Sequence, residues 1–158
     1  MSKRPYEERT DLEKVQSQWR KLSGLHTREE WSAAIVRAAT AAEIAANFAI
    51  RAEFKAQSDL TPEFVDSQLR WANGLAGKID RLLIPLSAKS PKRHKKVKAL
   101  KVFAEAVNGK RNAIAHQGEF CSEVEAIKVI STAHALITDL VQIYEPTFAL
   151  REYKRKAL

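Results

Sequence analysis

Apolar positions along the chain recur every three or four residues, and no stretch alternates apolar and polar residues as a half-buried strand would. Leu12, Val15, Trp19 and Leu22 follow Thr10 and Glu13, which have the spacing of a capping box, and Gly24 is the expected end of that helix. Thr27 and Glu30 repeat the box and open a segment without Gly or Pro to about Gln57. Its Ala34, Ala38, Ala41, Ala42, Ala45, Ala49 and Ala52 let a neighbouring helix approach closely and pack Trp31, Ile35 and Phe48 around the seam, so this is the expected central helix. A third start is Thr61-Pro62-Glu63, with Leu60 and Val65 placed to staple across the cap. Val65, Leu69, Ala72, Leu75, Ile79 and Leu82 carry that helix to Pro85, past Gly74 and Gly77, which permit close contact or weaken the turn. The fourth helix directs Val97, Leu100, Phe103, Ala104 and Val107 inward and stops at Asn108-Gly109. Ser122 and Glu125 cap a fifth, apolar through Ile127, Ile130, Ile137, Leu140, Val141 and Tyr144 and closed by Pro146. The expected fold is all-α, an antiparallel bundle of about five helices.

Composition adds a partner to this picture. A chain of 158 residues, 45% hydrophobic, fits one domain over 1–158, with its core at about 27–145 and basic extensions at both ends. A net charge of +8 favours an acidic partner, nucleic acid before an anionic membrane surface. Lys89, Lys92, Arg93, Lys95, Lys96, Lys98 and Lys101 lie between Ser87 and Lys101 with no acid among them, enough to track several phosphates or to form a solvated basic loop. Arg151-Glu152-Tyr153-Lys154-Arg155-Lys156 is a second basic cluster, either a base-stacking element or a disordered end. The basic start of the chain runs into Glu7, Glu8 and Asp11, so no signal peptide is expected, and no apolar run approaches the roughly 20 residues of a membrane span. With Cys121 as the one cysteine, a disulfide framework is ruled out, and the expected setting is a reducing cytoplasm. One Cys, four scattered His and no clustered carboxylates assemble no zinc or two-metal site, no glycine-rich phosphate loop is present, and no cofactor is expected.

The stretch Arg111-Asn112-Ala113-Ile114-Ala115-His116 carries the candidate chemistry. An arginine stays charged and offers a planar fork of donors to phosphate oxygens, while a histidine takes or gives a proton near neutrality. The segment lies between Gly109 and Gly118, at the expected frayed end of one helix. Five residues of straight helix rotate two side chains by roughly 140°, so Arg111 and His116 are expected to meet only if the helix breaks or a second subunit contributes. A bland reading makes them a helix-end cation and a satisfied polar group. Glu43 falls among Val36, Ile50 and Phe54; it either contacts Arg111 or His116, with Asn47 one turn on as a helper, or forms a structural ion pair. His134 reads as a hydrogen-bonded histidine at the core margin, His26 and His94 have no partners at ligand spacing, and Trp19, Trp31 and Trp71 read as packing.

A small helical bundle whose penultimate helix ends in Arg-Asn, three residues, then His, followed by Gly118 and another long helix, resembles the HEPN domains of prokaryotic toxin and defence systems. Their signature is Arg, four to six residues of which the first is usually polar, then His; Arg111, Asn112 and His116 match it, and the likeness covers roughly Trp31 to Tyr144. In the branch with a functional Tyr two positions beyond the His, this chain has Gly118, so that Tyr's role has no counterpart here. The resemblance implies metal-independent endoribonuclease activity in a toxin, defence or RNA-processing role, a homodimer, and an antitoxin or other partner protein. It equally covers catalytically silent members that act as helical modules binding nucleic acid or protein. On the first reading His116 transfers the proton, Arg111 holds the phosphate and Asn112 orients one of them. A third possibility is a small anionic ligand, such as a nucleotide, on the basic surface.

Overall fold

The computed structural model describes residues 4–152 apart from 28 and 73, and the side chains of 26 and 27 are likewise outside the description. Among the described residues the fold is all-α. A short 3₁₀ turn, Tyr6–Glu8, precedes six helices: α1 Asp11–Thr27, α2 Trp31–Gln57, α3 Pro62–Trp71, α4 over residues 75–87, α5 Pro91–Gln117 and α6 Glu123–Tyr144.

Several ends form as their sequences dictate. Thr10 Oγ1 accepts from the Glu13 amide at 3.2 Å while the Glu13 carboxylate accepts from the Thr10 amide at 3.1 Å. Ser122 and Glu125 make the same reciprocal pair at 3.2 and 2.9 Å, and Thr61 caps α3 by accepting from the Phe64 amide at 3.2 Å. Other ends differ from expectation. Gly24 does not stop α1, because one glycine costs only about 1 kcal/mol against alanine and Leu25 beyond it packs against the core. Thr27 therefore belongs to α1, and Glu30 takes the position before α2 without a side-chain cap, its amide bonding the Leu25 carbonyl at 3.0 Å.

The expected third helix is two. Gly74, at φ +82° and ψ 151°, holds a backbone conformation open to glycine and separates α3 from α4. Pro85 lies inside α4 rather than ending it. A proline has no amide to donate and crowds the preceding turn, and α4 absorbs this by widening to a π-helical stretch, Lys78–Leu83, between single α-turns at Leu75–Gly77 and Ile84–Ser87. The fourth expected helix is longer than its Asn108-Gly109 stop signal. It starts at the Ser90-Pro91 cap and runs unbroken through Gly109 to Gln117, where Gly118 at φ +63° turns the chain out and the Glu119 amide reaches back to the Ala113 carbonyl at 3.2 Å.

Side-chain pairs fix the helix directions. Arg51 near the end of α2 meets Asp11 at the start of α1 at 3.0 Å, so these two run antiparallel. Glu53 near the end of α2 meets Arg93 at the start of α5 (2.9 Å) and Tyr144 at the end of α6 (2.8 Å). Hence α2 and α6 run one way, α1 and α5 the other, while α3 and α4 connect α2 to α5. The alanines of α2 are the reason it can be central: Ala34, Ala38, Ala41, Ala42, Ala45, Ala46 and Ala49 are wholly buried and admit neighbouring helices closely, with Ile35 and Ile50 filling between them.

The core is wider than residues 27–145. Val15, Trp19 and Leu22 of α1 and Leu150 after α6 are part of it. In the other direction, Trp71 is 83% exposed, Ile127 half exposed, and Phe103 lies at the surface; Trp71 and Ile127 are not packing residues. By length and composition alone α2 and α6 are each apolar enough to cross a membrane, which a core helix also satisfies, and α2 is packed by α1, α5 and α6.

Candidate functional site

The last turns of α5 bring the proposed pair together without a break in the helix. An Arg111 Nη1 hydrogen bonds Asn112 Oδ1 at 3.1 Å and points to His116 Nε2 at 3.4 Å. Five residues rise about 7.5 Å along a helix, a gap the long arginine side chain spans by lying along the last turn, so neither helix breakage nor a second subunit is needed for contact. With the guanidinium donating, His116 Nε2 accepts through its lone pair. His116 is exposed and Arg111 half-buried, so one face of the cluster meets solvent. Around it, Lys110 pairs with Glu119 and, at 3.4 Å, with Glu125, tying the end of α5 to the start of α6. The hydrogen bond that Lys110 donates to Glu119 raises its pKa above the ordinary lysine range.

Glu43 is not part of this cluster. Its carboxylate accepts from Lys78 Nζ at 2.9 Å, and Lys78 is 5% exposed, so the pair joins α2 to the π-helical stretch of α4. Asn47 is likewise away from Arg111; its Oδ1 is buried without a hydrogen-bond partner and it lines a small cleft with Arg51, Asp66 and Lys78. The structural ion pair is the role the contacts support.

The basic stretch is a helix start rather than a loop. Lys92, Lys95, Lys96 and Lys98 are exposed on the first turns of α5, Lys89 is exposed in the turn before it, and no acid stands in the first turn. Cations at a helix N-terminus oppose its macrodipole, so this end of α5 concentrates positive potential at a cost in stability. Arg93 is withdrawn from the patch: its guanidinium bonds both oxygens of Glu53 at 2.9 and 3.3 Å. Lys101 is held by Asp80 at 2.8 Å, with Glu105 at 3.8 Å, and its pKa is raised by the Asp80 hydrogen bond. Five lysines remain exposed, and the nearest on α5, Lys98, is about 27 Å of helix from His116.

Glu53, which the sequence pattern did not single out, is the buried carboxylate of the fold at 1% exposure. Burial works to raise its pKa, but hydrogen bonds from Arg93, Tyr144 and Gln57 outweigh it and hold the carboxyl below its ordinary range. Burial, then the Glu53 carboxylate, pushes the Tyr144 phenol far up. His94 belongs to the same end: its Nδ1 lies 3.0 Å from the Ile84 carbonyl and 3.2 Å from Ser87 Oγ. His134 stacks edge-on to Trp19 with centroids 5.6 Å apart and lies 3.8 Å from Glu152. The side chain of His26 and the tail beyond Glu152 lie outside the described residues. Among the described residues, no three His, Cys, Asp or Glu side chains come together.

Trp71, which periodicity assigned to packing, is exposed instead. It ends α3 three residues before Gly74, where an added Cβ would lie 3.6 Å from the Asn108 side chain of α5. Compared with family models, curated proteins and solved structures, the chain matches none, so any family assignment rests on the motif and its placement at the end of the penultimate helix.

Proposed function

We propose that the chain is a metal-independent endoribonuclease of the HEPN type, acting as a homodimer. The observation that carries this reading is the Arg111–Asn112–His116 cluster, with its 3.4 Å guanidinium-to-imidazole approach on the open end of α5. RNA supplies its own nucleophile, the 2′-hydroxyl. Cleavage needs that proton removed, the extra charge on the phosphorane stabilised, and the leaving 5′-oxygen protonated. His116 Nε2 is the one proton-transfer group in the cluster, Arg111 supplies the phosphate fork, and Asn112 steadies Arg111 through Oδ1. The exposed lysines at the far end of α5 hold more distant phosphates by charge.

One histidine serves two proton transfers poorly, and a two-fold pairing of clusters would supply both. Phe120 at 94% exposure, Val124 at 77% and Ile127 at 50% follow His116 directly in the chain and give a second copy an apolar surface to cover. Light scattering is expected to give a dimer, and Phe120→Glu with Val124→Glu a monomer of reduced activity.

The deciding experiment incubates the protein with mixed RNA in chelator. Fragments ending in 2′,3′-cyclic phosphate are expected from the wild type. Arg111→Ala and His116→Ala should each lose at least about a hundredfold in rate, with unchanged circular dichroism and melting midpoint. Equal cleavage by the variants overturns the proposal. The second reading, a silent module binding nucleic acid, is favoured by the distance between lysines and cluster; salt-sensitive gel shifts without fragments would establish it.

A further inference from the structure

A second basic site lies between the Tyr6–Glu8 turn, α1 and α2. This cleft of about 1000 Å³ is lined by Arg4, Arg9, Arg20, Lys21 and Arg37, and among the described residues lining it Glu13 is the one acid. Glu13 is itself engaged, accepting from Arg4 at 2.8 Å and from the Thr10 amide. The walls between the cations are apolar, formed by Tyr6, Leu25 and the arginine stems.

The cleft is also held in shape from beneath. Gln18, 5% exposed, donates through Nε2 to the Tyr6 hydroxyl at 2.8 Å and accepts at Oε1 from Arg37 Nη1 at 2.8 Å. Arg9 is fixed by Ser17 Oγ and the Arg4 carbonyl, both at 3.1 Å. Around the Tyr6 ring, Arg9, Lys14 and Lys21 converge to 5.5–5.7 Å of its centroid. Like charges gathered this closely repel one another, and an anion lying among them relieves that repulsion. Because the Tyr6 hydroxyl accepts from Gln18, its own proton remains to be donated.

We propose that this cleft binds a phosphorylated ligand of nucleotide size. Four of the five cations are arginines, whose forked donors match phosphate oxygens two at a time. The volume lies at the upper end for small-molecule sites, and the apolar walls suit a ligand with a flat organic part rather than a bare inorganic ion. Free nucleotides and the end of an RNA strand present the same chemistry. The inference does not rest on the nuclease reading.

The test is titration calorimetry of the full chain with adenosine diphosphate, a tetranucleotide RNA, inorganic phosphate and a glutamate-rich peptide. One site per chain for the nucleotide or the tetranucleotide is expected, and which of them binds tighter identifies the source. Lys21→Glu puts a repelling charge at the exposed rim and should weaken binding at least about tenfold. Gly24→Glu is a second variant, in a space where an added Cβ meets nothing within 4 Å; it fills the cleft with a carboxylate while favouring helix, so binding falls without loss of melting midpoint. No binding, binding unchanged in both variants, or equal affinity for inorganic phosphate or the peptide overturns the proposal. Arg111→Ala should bind the nucleotide as wild type does, whatever becomes of its cleavage activity.

Discussion

Single residues decide where charge is tolerated in this fold. Glu53 holds its proton weakly because Arg93, Tyr144 and Gln57 all donate to its carboxylate. Its pKa is lowered on folding, so its contribution is complete above the ordinary carboxylate range near pH 4.3 and is lost as pH falls through the lower folded value. Glu53→Gln should cost about 3 kcal/mol at pH 7, the low end for breaking a buried pair, since Arg93 keeps one side in solvent. Urea midpoints at pH 7, 5, 4 and 3 should also show a flatter decline for the variant than for wild type. Trp71→Ala is the opposite case: with its ring in solvent, it should shift stability by no more than about 0.5 kcal/mol, and any larger loss of RNA cleavage would mark a substrate contact. The apolar arc on α2 suggested Glu43 as the interior carboxylate, one helix face away from the true one. What the sequence alone lacked was the partner: Arg93 sits among lysines and looks like one more solvated cation, yet it alone has a fork to give both Glu53 oxygens a donor.

At the scale of elements, starts were easier to read than stops. A cap such as Ser122 with Glu125 is a local bargain between a side chain and its own backbone, and it forms wherever the chain before it is free to end, as it is not at Thr27, which continues α1. A stop is settled by what lies beyond it. Gly24 fails to end its helix because Leu25 past it packs against the core, and beyond Gly109 the helix continues through Lys110, which pairs with Glu119 and Glu125; Gly118 succeeds because its positive φ is built into the turn toward α6. Gly118→Ala is therefore expected to destabilise by about 1 kcal/mol, read as a lower melting midpoint, whereas Gly109→Ala should raise it by a similar amount. The start of α5 sets stability against charge. Lys92→Glu complements the macrodipole and should stabilise by about 0.3–1 kcal/mol, while weakening RNA retention and its salt dependence by about one phosphate contact.

For the molecule as a whole, α-class and the central place of α2 follow from periodicity and from the alanines alone. The break at Gly74, the π-helical turn at Pro85 and the surface position of Trp71 depend on how α3 and α4 cross from α2 to α5, which no local pattern encodes. The same applies to the cleft over Gln18, whose lining comes from the Tyr6–Glu8 turn, α1 and α2 together. The exposed lysines at the start of α5 and the cations of this cleft are thus two separate basic surfaces, each with its own geometry.

Because α5 runs without interruption from its lysine-rich first turn to His116, it acts as a ruler. A strand that grips Lys92 or Lys98 must extend about 27–36 Å along the rod before it reaches the imidazole. On the proposed ribonuclease reading, oligonucleotides shorter than that reach would be anchored or cut, but not both at once. Turnover should therefore climb with fragment length until the span is bridged and then level off.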